Sequence, residues 1–362
     1  MKALKKKRGV PKLPVLSSLA LCAAVIFLTA NIPALSEYFF ARGITRGINW
    51  VLTRIVNLIP ASLYEVAAEF LIVGGIVLLI RLIYLLAKRR FSLFGKYIYA
   101  LAVIALSVLL AFGVLYAPLY NRVSVWNALN LPETQVSSEN LSAAAEYYVG
   151  ELNEVSLLMR RDEKENIVPE YGFNALCEKL NGEFSSLGSY FAGYDVKAKA
   201  VVLSVPMSYL GITGIFFPFF AEANVNTDIP SYELPVTMAH EMAHAKGVSR
   251  ENEANLTAYV LCIESEDAYL RYSGLMNAVA VLLNALPQEE YEILYCKLSE
   301  KVLQEYHNAG DHYAKYEGLL DSVSSFFNDL FLKSNGVQSG TKSYGETTRG
   351  LVALYTRLTS ET

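Results

Sequence analysis

Charge is scarce in this chain. The 31 Lys/Arg and 35 Asp/Glu make up only 18% of 362 residues, against 53% hydrophobic, which excludes a disordered or collagen-like polymer because such chains lack the apolar surface for a core. Histidine is scarcer still, with four residues. The four cysteines, at 22, 177, 262 and 296, form no CxxC pair, and an odd three lie outside the first apolar run. No closed disulfide framework is implied, and they read as small buried hydrophobes. There is no GxSxG elbow, no phosphate-cradling glycine loop and no internal repeat, so serine-hydrolase, nucleotide-binding and solenoid readings lose their basis.

The charge that is present lies unevenly. A formal net charge of −4 divides into +11 over residues 1–120 and −15 over 121–362. A basic, apolar first third fits a lipid bilayer, and the acidic remainder has no electrostatic footprint for nucleic acid.

Leu13 to Ser36 is a run without a charge, preceded by Lys2, Lys5, Lys6, Lys7, Arg8 and Lys12. A span needs about 20 apolar residues. Residues 13–36 are therefore expected to form a first transmembrane helix behind a cytoplasmic basic segment, 1–12. A cleaved signal peptide ending near Ala34-Leu35-Ser36 is the alternative. A second span is expected over 66–87, with Glu69 near its outer end and Arg81 placed to snorkel inward. A third is expected over 97–120. The 88–96 connection carries Lys88, Arg89, Arg90 and Lys96, while the 37–65 loop carries only Arg42, Arg46 and Arg54. The positive-inside rule then gives a multi-pass protein of the cell membrane, with a cytoplasmic N-terminus and an extracytoplasmic domain over 121–362. Within the outer loop, Ile44, Ile48, Val51, Leu52, Ile55 and Leu58 recur at helical spacing, the pattern of an amphipathic interfacial helix.

The expected fold is mainly α: three N-terminal transmembrane helices, then a mostly helical domain with a small β-sheet. In that domain helical patterns cover about 140–160, 172–185, 235–246, 250–275, 277–285, 288–305, 313–333 and 346–359. Short β-favouring segments at 201–205, 212–217 and 222–226 make the sheet. The run Phe216-Phe217-Pro218-Phe219-Phe220 reads as a buried sheet corner, with a lipid-touching loop as the alternative.

Chemistry concentrates at His240-Glu241-Met242-Ala243-His244, an HExxH. Four residues apart on a helix, the two imidazoles project from one face and can grip one Zn²⁺, while Glu241 is placed to act on a water as general base. With four histidines in the chain, independent placement predicts on the order of 0.003 such motifs. Pro235 suits a helix start and Gly247 a helix C-cap.

A catalytic zinc site wants a third protein ligand and an open position. The metzincin pattern needs a histidine at position 250, which is Arg250. The next stretch offers Glu251, with Glu253 as the alternative ligand, and Asn255 four residues on from Glu251 on the same helical face. Glu251 and Asn255 stand where the glutamate-zincins have ExxxD, and by that resemblance Glu251 binds zinc and Asn255, replacing the Asp, orients a zinc histidine.

The stretch Tyr209 to Asn255, with Pro218-Phe219, Glu222-Ala223-Asn224-Val225-Asn226-Thr227, the HExxH and Arg250-Glu251-Asn252-Glu253-Ala254-Asn255, resembles a bacterial membrane family catalogued as domain of unknown function 3810. Asn328-Asp329, Leu332-Lys333 and Ser343-Tyr344-Gly345 echo its C-terminal end. The resemblance implies the three-span architecture and a zincin-like metallopeptidase domain cleaving a peptide or protein substrate, with no substrate identity and no oligomeric state. The wider glutamate-zincin resemblance makes Glu222 to Thr227 the strand beside the cleft, its free edge pairing with substrate. Tyr344, His307, His312 and Arg349 are candidates for an oxyanion donor. Tyr344 is favoured because its loop is similar to a Tyr-Gly loop of aspartate-zincins. The competing class is a membrane scaffold or assembly factor with a non-catalytic zinc site, for which the unligated Glu241 has no use.

Overall fold

The computed structural model describes residues 12–191, 193–318 and 344–360. The chain divides into two units, one of Met1–Thr45 and Ala67–Arg122, the other of Arg46–Val66 and Val123–Thr362.

The first unit begins with α1 (Lys12–Ala30) and a π-helical stretch, Leu35–Ile44, which leads into α2 (Thr45–Val56). It also holds most of α3 (Leu63–Ala87) and all of α4 (Phe91–Leu115). Both α3 and α4 have 25 residues, about 37 Å at 1.5 Å per residue, against a hydrocarbon core of about 30 Å. Their apolar side chains, Phe70, Leu71, Val73, Ile80 and Ile104 among them, are exposed. These two helices are long and apolar enough to cross a membrane.

The expected uninterrupted span over 13–36 is not found. Helix α1 stops at Ala30, Pro33 has no N–H to continue the ladder, and the axis bends by 112° between Pro14–Ala30 and Leu35–Val56. A third crossing exists only if that bent pair acts as one span. The span expected over 97–120 starts earlier, at Phe91, so Lys96 falls inside α4 and the connection between α3 and α4 shrinks to Lys88, Arg89 and Arg90.

The second unit contains α5 (Ser138–Ser156), α6 (Phe173–Ser186), β1 (Lys199–Val201), α7 (Ser204–Ser208), β2 (Gly214–Phe217), β3 (Glu222–Asn226) and α8 (Glu233–Ala245). After these come α9 (Glu251–Ile263), α10 (Ala268–Leu283), α11 (Gln288–Tyr295), α12 (Glu300–Ala314) and α13 (Tyr344–Ser360). Helices α5, α8, α9, α10 and α13 pack on one another around fully buried Tyr148, Leu152, Met238, Tyr269 and Tyr272. The helix expected over 250–275 is two. Asp267 accepts hydrogen bonds from the Tyr269 and Leu270 amides at 3.0 and 3.1 Å and so caps a new helix, a side-chain competition that apolar periodicity does not reveal. Most of the helix expected over 313–333 lies outside the described residues.

The sheet has the order β1-β3-β2. β3 runs parallel to β1 (Ala200 opposite Val225) and antiparallel to β2 (Phe217 opposite Glu222), and all five of its residues are buried. This overturns the expectation of a free edge at Glu222 to Thr227: the edge strands are β1 and β2. Ala223 and Val225 are fully buried on the face where β3 packs on α8. The alternate residues point to the other face, where Glu222 accepts from the Leu63 and Tyr64 amides at 3.2 and 2.9 Å and Asn224 accepts from Ser62 Oγ at 2.7 Å.

The 37–65 segment is thus no separate loop beyond its first residues. Lys199 Nζ donates to the carbonyls of Val56, at 3.1 Å, and Ile59, closing the C-terminal end of α2. Asn57 bonds the backbone of Asp195 and Lys197 at 2.9 and 3.0 Å. Glu65 accepts from the Val202 and Leu203 amides at 3.0 and 2.7 Å. The Phe216–Phe220 run forms a sheet corner whose Phe217 ring meets Tyr64, Phe219 and Phe220 at 5.3–5.5 Å.

Candidate metal centre

Helix α8 is central because its apolar residues recur at helical spacing: Val236, Met238, Ala239, Met242 and Ala243 are buried against the sheet, α9 and α10. It ends at Ala245 with Lys246 as its C-cap, and Gly247 takes φ +97°, a left-handed conformation that glycine adopts without a Cβ clash. The Val248 amide returns to the Ala243 carbonyl at 3.1 Å. This turn brings two groups to His244. The Val248 carbonyl lies 2.6 Å from its Nδ1, and the start of α9 delivers Glu251.

A carbonyl only accepts, so His244 Nδ1 carries the proton and Nε2 can present its lone pair. That Nε2 lies 3.0 Å from His240 Nε2, and Glu251 Oε2 lies 3.2 Å from His240 Nε2 and 3.6 Å from His244 Nε2. The three atoms form a nearly equilateral triangle. One face of a tetrahedral site with bonds of 2.0–2.1 Å has edges of about 3.3 Å, so the donor set, two imidazoles and a carboxylate, fits Zn²⁺ in both chemistry and spacing.

The electrostatics agree. Burial opposes ionisation of Glu251, but the His244 and His240 rings outweigh it and hold the carboxyl well below the usual carboxylate range. Burial likewise disfavours charge on His244, yet Glu251, followed by Glu241 and the Val248 carbonyl, raises it to about 9. The pocket favours a cation, and a metal ion can replace the proton. Glu241 is different: burial pushes it up to about 7, opposed by the two imidazoles and reinforced by Glu251. It is 4% exposed, and its Oε2 has no hydrogen-bond partner among the described residues.

Gly214 in β2 makes room for that carboxylate. A Cβ there would lie 2.5 Å from Glu241 Oε1 and 2.7 Å from Cγ. The next-but-one residue, Phe216, stacks on His244 with ring centroids 6.2 Å apart. The strand beside the site is therefore β2, one position in sheet order from the β3 expected. A glycine inside a strand pattern is a signal of close approach, and Gly214 offered it. The Val248 carbonyl left no signal, since any residue supplies one.

The other expected residues fall elsewhere. Glu253 pairs with Arg250 at 2.9 Å and is not part of the cluster. Asn255 follows Glu251 by one turn of α9, but no hydrogen bond joins it to either ring among the described residues, and the acceptor that orients His244 is Val248. Tyr344 opens α13, and its side chain lies outside the described residues. His307 is exposed beside Asp311, His312 Nε2 meets the Asp228 carbonyl at 3.0 Å, and Arg349 lies over the Trp126 ring at 4.4 Å.

A mainly helical chain with two candidate membrane-crossing helices and a His-His-Glu cluster is the class these features define. Residues 40–352 match the family described as protein of unknown function (DUF3810), and the protein belongs to that family. No curated protein and no solved structure matches the chain.

Proposed function

We propose that the protein is a membrane-anchored zinc metallopeptidase whose metal is held by His240, His244 and Glu251. The observation that carries this reading is the convergence of three donor atoms beside a buried carboxylate with an unpartnered oxygen. A purely structural zinc site closes its coordination with protein ligands and leaves no role for Glu241. Zinc bound there supplies Lewis acidity that acidifies water and polarises a scissile carbonyl.

The chain's own residues do the rest. Glu241 takes a proton from the attacking water and returns it to the leaving nitrogen, a task suited to a carboxyl lifted toward neutral pH. Among the described residues strand β2 is paired on one side only, so an extended peptide can add to its other side by main-chain hydrogen bonds. Phe216 and the Val248 carbonyl hold the His244 ring in place. The oxyanion donor we assign to Tyr344 at the start of α13.

Topology supports an extracytoplasmic site. Helix α3 leaves the second unit and α4 returns to it, as two crossings require. Lys88, Arg89 and Arg90 between them mark the cytoplasmic side. The basic residues ahead of α1 belong on that side too, which favours the bent α1 segment as a further crossing.

The test is cleavage of a peptide library by the purified full chain, with zinc content measured in parallel. About one zinc per chain and hydrolysis abolished in Glu241→Gln support the proposal. Hydrolysis unchanged in that variant overturns it, and metal without hydrolysis in the native chain points to a scaffold.

A further inference from the structure

The polarity of α2 is reversed for a helix on a protein in water. Such a helix turns its apolar stripe to the core, but α2 buries Asn49, Thr53 and Val56 and exposes Trp50, Val51 and Ile55, with Leu58 just beyond its end 83% exposed. A second apolar segment lies in the same unit. Val202 is 88% exposed, and Leu203, Val205, Tyr209 and Leu210 are exposed with it.

The two segments are fastened to one short stretch of chain. Lys199 holds the carbonyls of Val56 and Ile59, and Glu65 holds the amides of Val202 and Leu203. Both therefore flank residues 56–65, which run directly into the apolar length of α3. The outward face of α2 carries a charge of the kind that suits an interface: Arg54 lies over the Trp50 ring at 4.0 Å. Tryptophan and arginine together are at home at the headgroup level, and arginine complements anionic lipid.

We propose that the outward face of α2 and the turn Val202–Leu210 form one lipid-facing surface, which seats the second unit in the headgroup region of the bilayer beside the start of α3. The occupant is lipid rather than protein because the surface adjoins a helix that is itself long and apolar enough to cross and carries a basic aromatic pair at its margin. The proposal does not depend on the catalytic reading. Surface helices of this kind sink about 5–10 Å into the headgroup and acyl boundary, within reach of a shallow quencher.

The experiment uses the full chain reconstituted in vesicles of phosphatidylethanolamine and phosphatidylglycerol, with or without phosphatidylcholine brominated near the headgroup. The chain has two tryptophans, so Trp126→Phe leaves Trp50 as the sole reporter. In a background that also has Trp50→Phe, Leu58→Trp and Val202→Trp place reporters at two highly exposed positions, and Leu157→Trp, 75% exposed in the native chain, is the control. Emission from positions 50, 58 and 202 should fall by about half or more with brominated lipid, as expected at such depths, and emission from 157 should hardly change. Reporters at 58 and 202 that keep their emission, or lose no more than the control, overturn the proposal. So does protection of these positions only where crosslinking shows a second copy or another protein covering them.

Discussion

Gly214 and Glu241 approach so closely that an added methyl group at Gly214 would lie 2.5 Å from the carboxylate Oε1, inside any real contact distance. The atoms in the way belong to the side chain proposed as the general base. Gly214→Ala should therefore turn Glu241 aside, cutting peptide hydrolysis by at least about tenfold, a fraction of a general base's usual contribution. Zinc content should stay unchanged. Parallel measurement of kcat and bound metal checks this.

The two roles in HExxH separate by substitution. Glu241→Gln should retain zinc and lose hydrolysis by about 100-fold or more, whereas His240→Ala should lose the metal itself. Elemental analysis of both variants beside the native chain distinguishes them, since stoichiometric zinc in His240→Ala is incompatible with the assigned ligands.

Glu222 is predicted to matter for stability and not directly for chemistry. Glu222→Ala strands the part-buried amides of Leu63 and Tyr64, at a cost of about 1–3 kcal/mol. Glu222→Gln keeps one acceptor and should lose less. Thermal unfolding of the full chain in detergent measures the order.

The cap of α10 should impose a pH dependence. Asp267 is held below its ordinary value of 3.8: burial opposes the shift, but Lys179, Tyr171 and the Leu270 amide outweigh it. A carboxylate of lowered pKa stabilises the fold fully above 3.8 and ceases to do so as pH falls through the native-state value. Asp267→Asn should thus lower Tm at pH 7, and the gap between the two chains should narrow on acidification below 3.8. A gap independent of pH would assign the effect to capping geometry alone.

A fragment beginning at residue 121 should not fold. It lacks the Val56 and Ile59 carbonyls that accept from Lys199, the Leu63 and Tyr64 amides that donate to Glu222, and the Glu65 carboxylate that accepts from the Val202 and Leu203 amides. Limited proteolysis should digest it throughout, and a protease-resistant fragment would contradict the assignment of 46–66 to this unit.

Sequence legibility followed the range of the forces involved. HExxH and Glu251 were readable because one helix and the next turn bring them together, so spacing alone carries the geometry. The apolar lengths of α3 and α4 were readable because the hydrocarbon core sets them. What escaped depends on partners distant in sequence. Glu222 looked like a cleft residue because only the sheet order shows that β2 intervenes. That Glu253 pairs with Arg250 while Glu251 lies beside the histidines is a side-chain arrangement that spacing does not show. The break after Ala30 was hidden because the charge-free run continues through it to Ser36, and only Pro33 hinted at it. The polarity of α2 was visible as periodicity, but which face turns to protein was not.

The second unit is encoded in two pieces, 46–66 and 123–362, with two long apolar helices between them. The first piece therefore leaves the ribosome before the second is made, and on the proposed topology both must reach the same side of the membrane before β1 and β3 can meet their partners in residues 56–65. On the proposed topology, the second unit and the His-His-Glu cluster it carries can be completed only after both pieces of chain have been made and the apolar helices between them inserted.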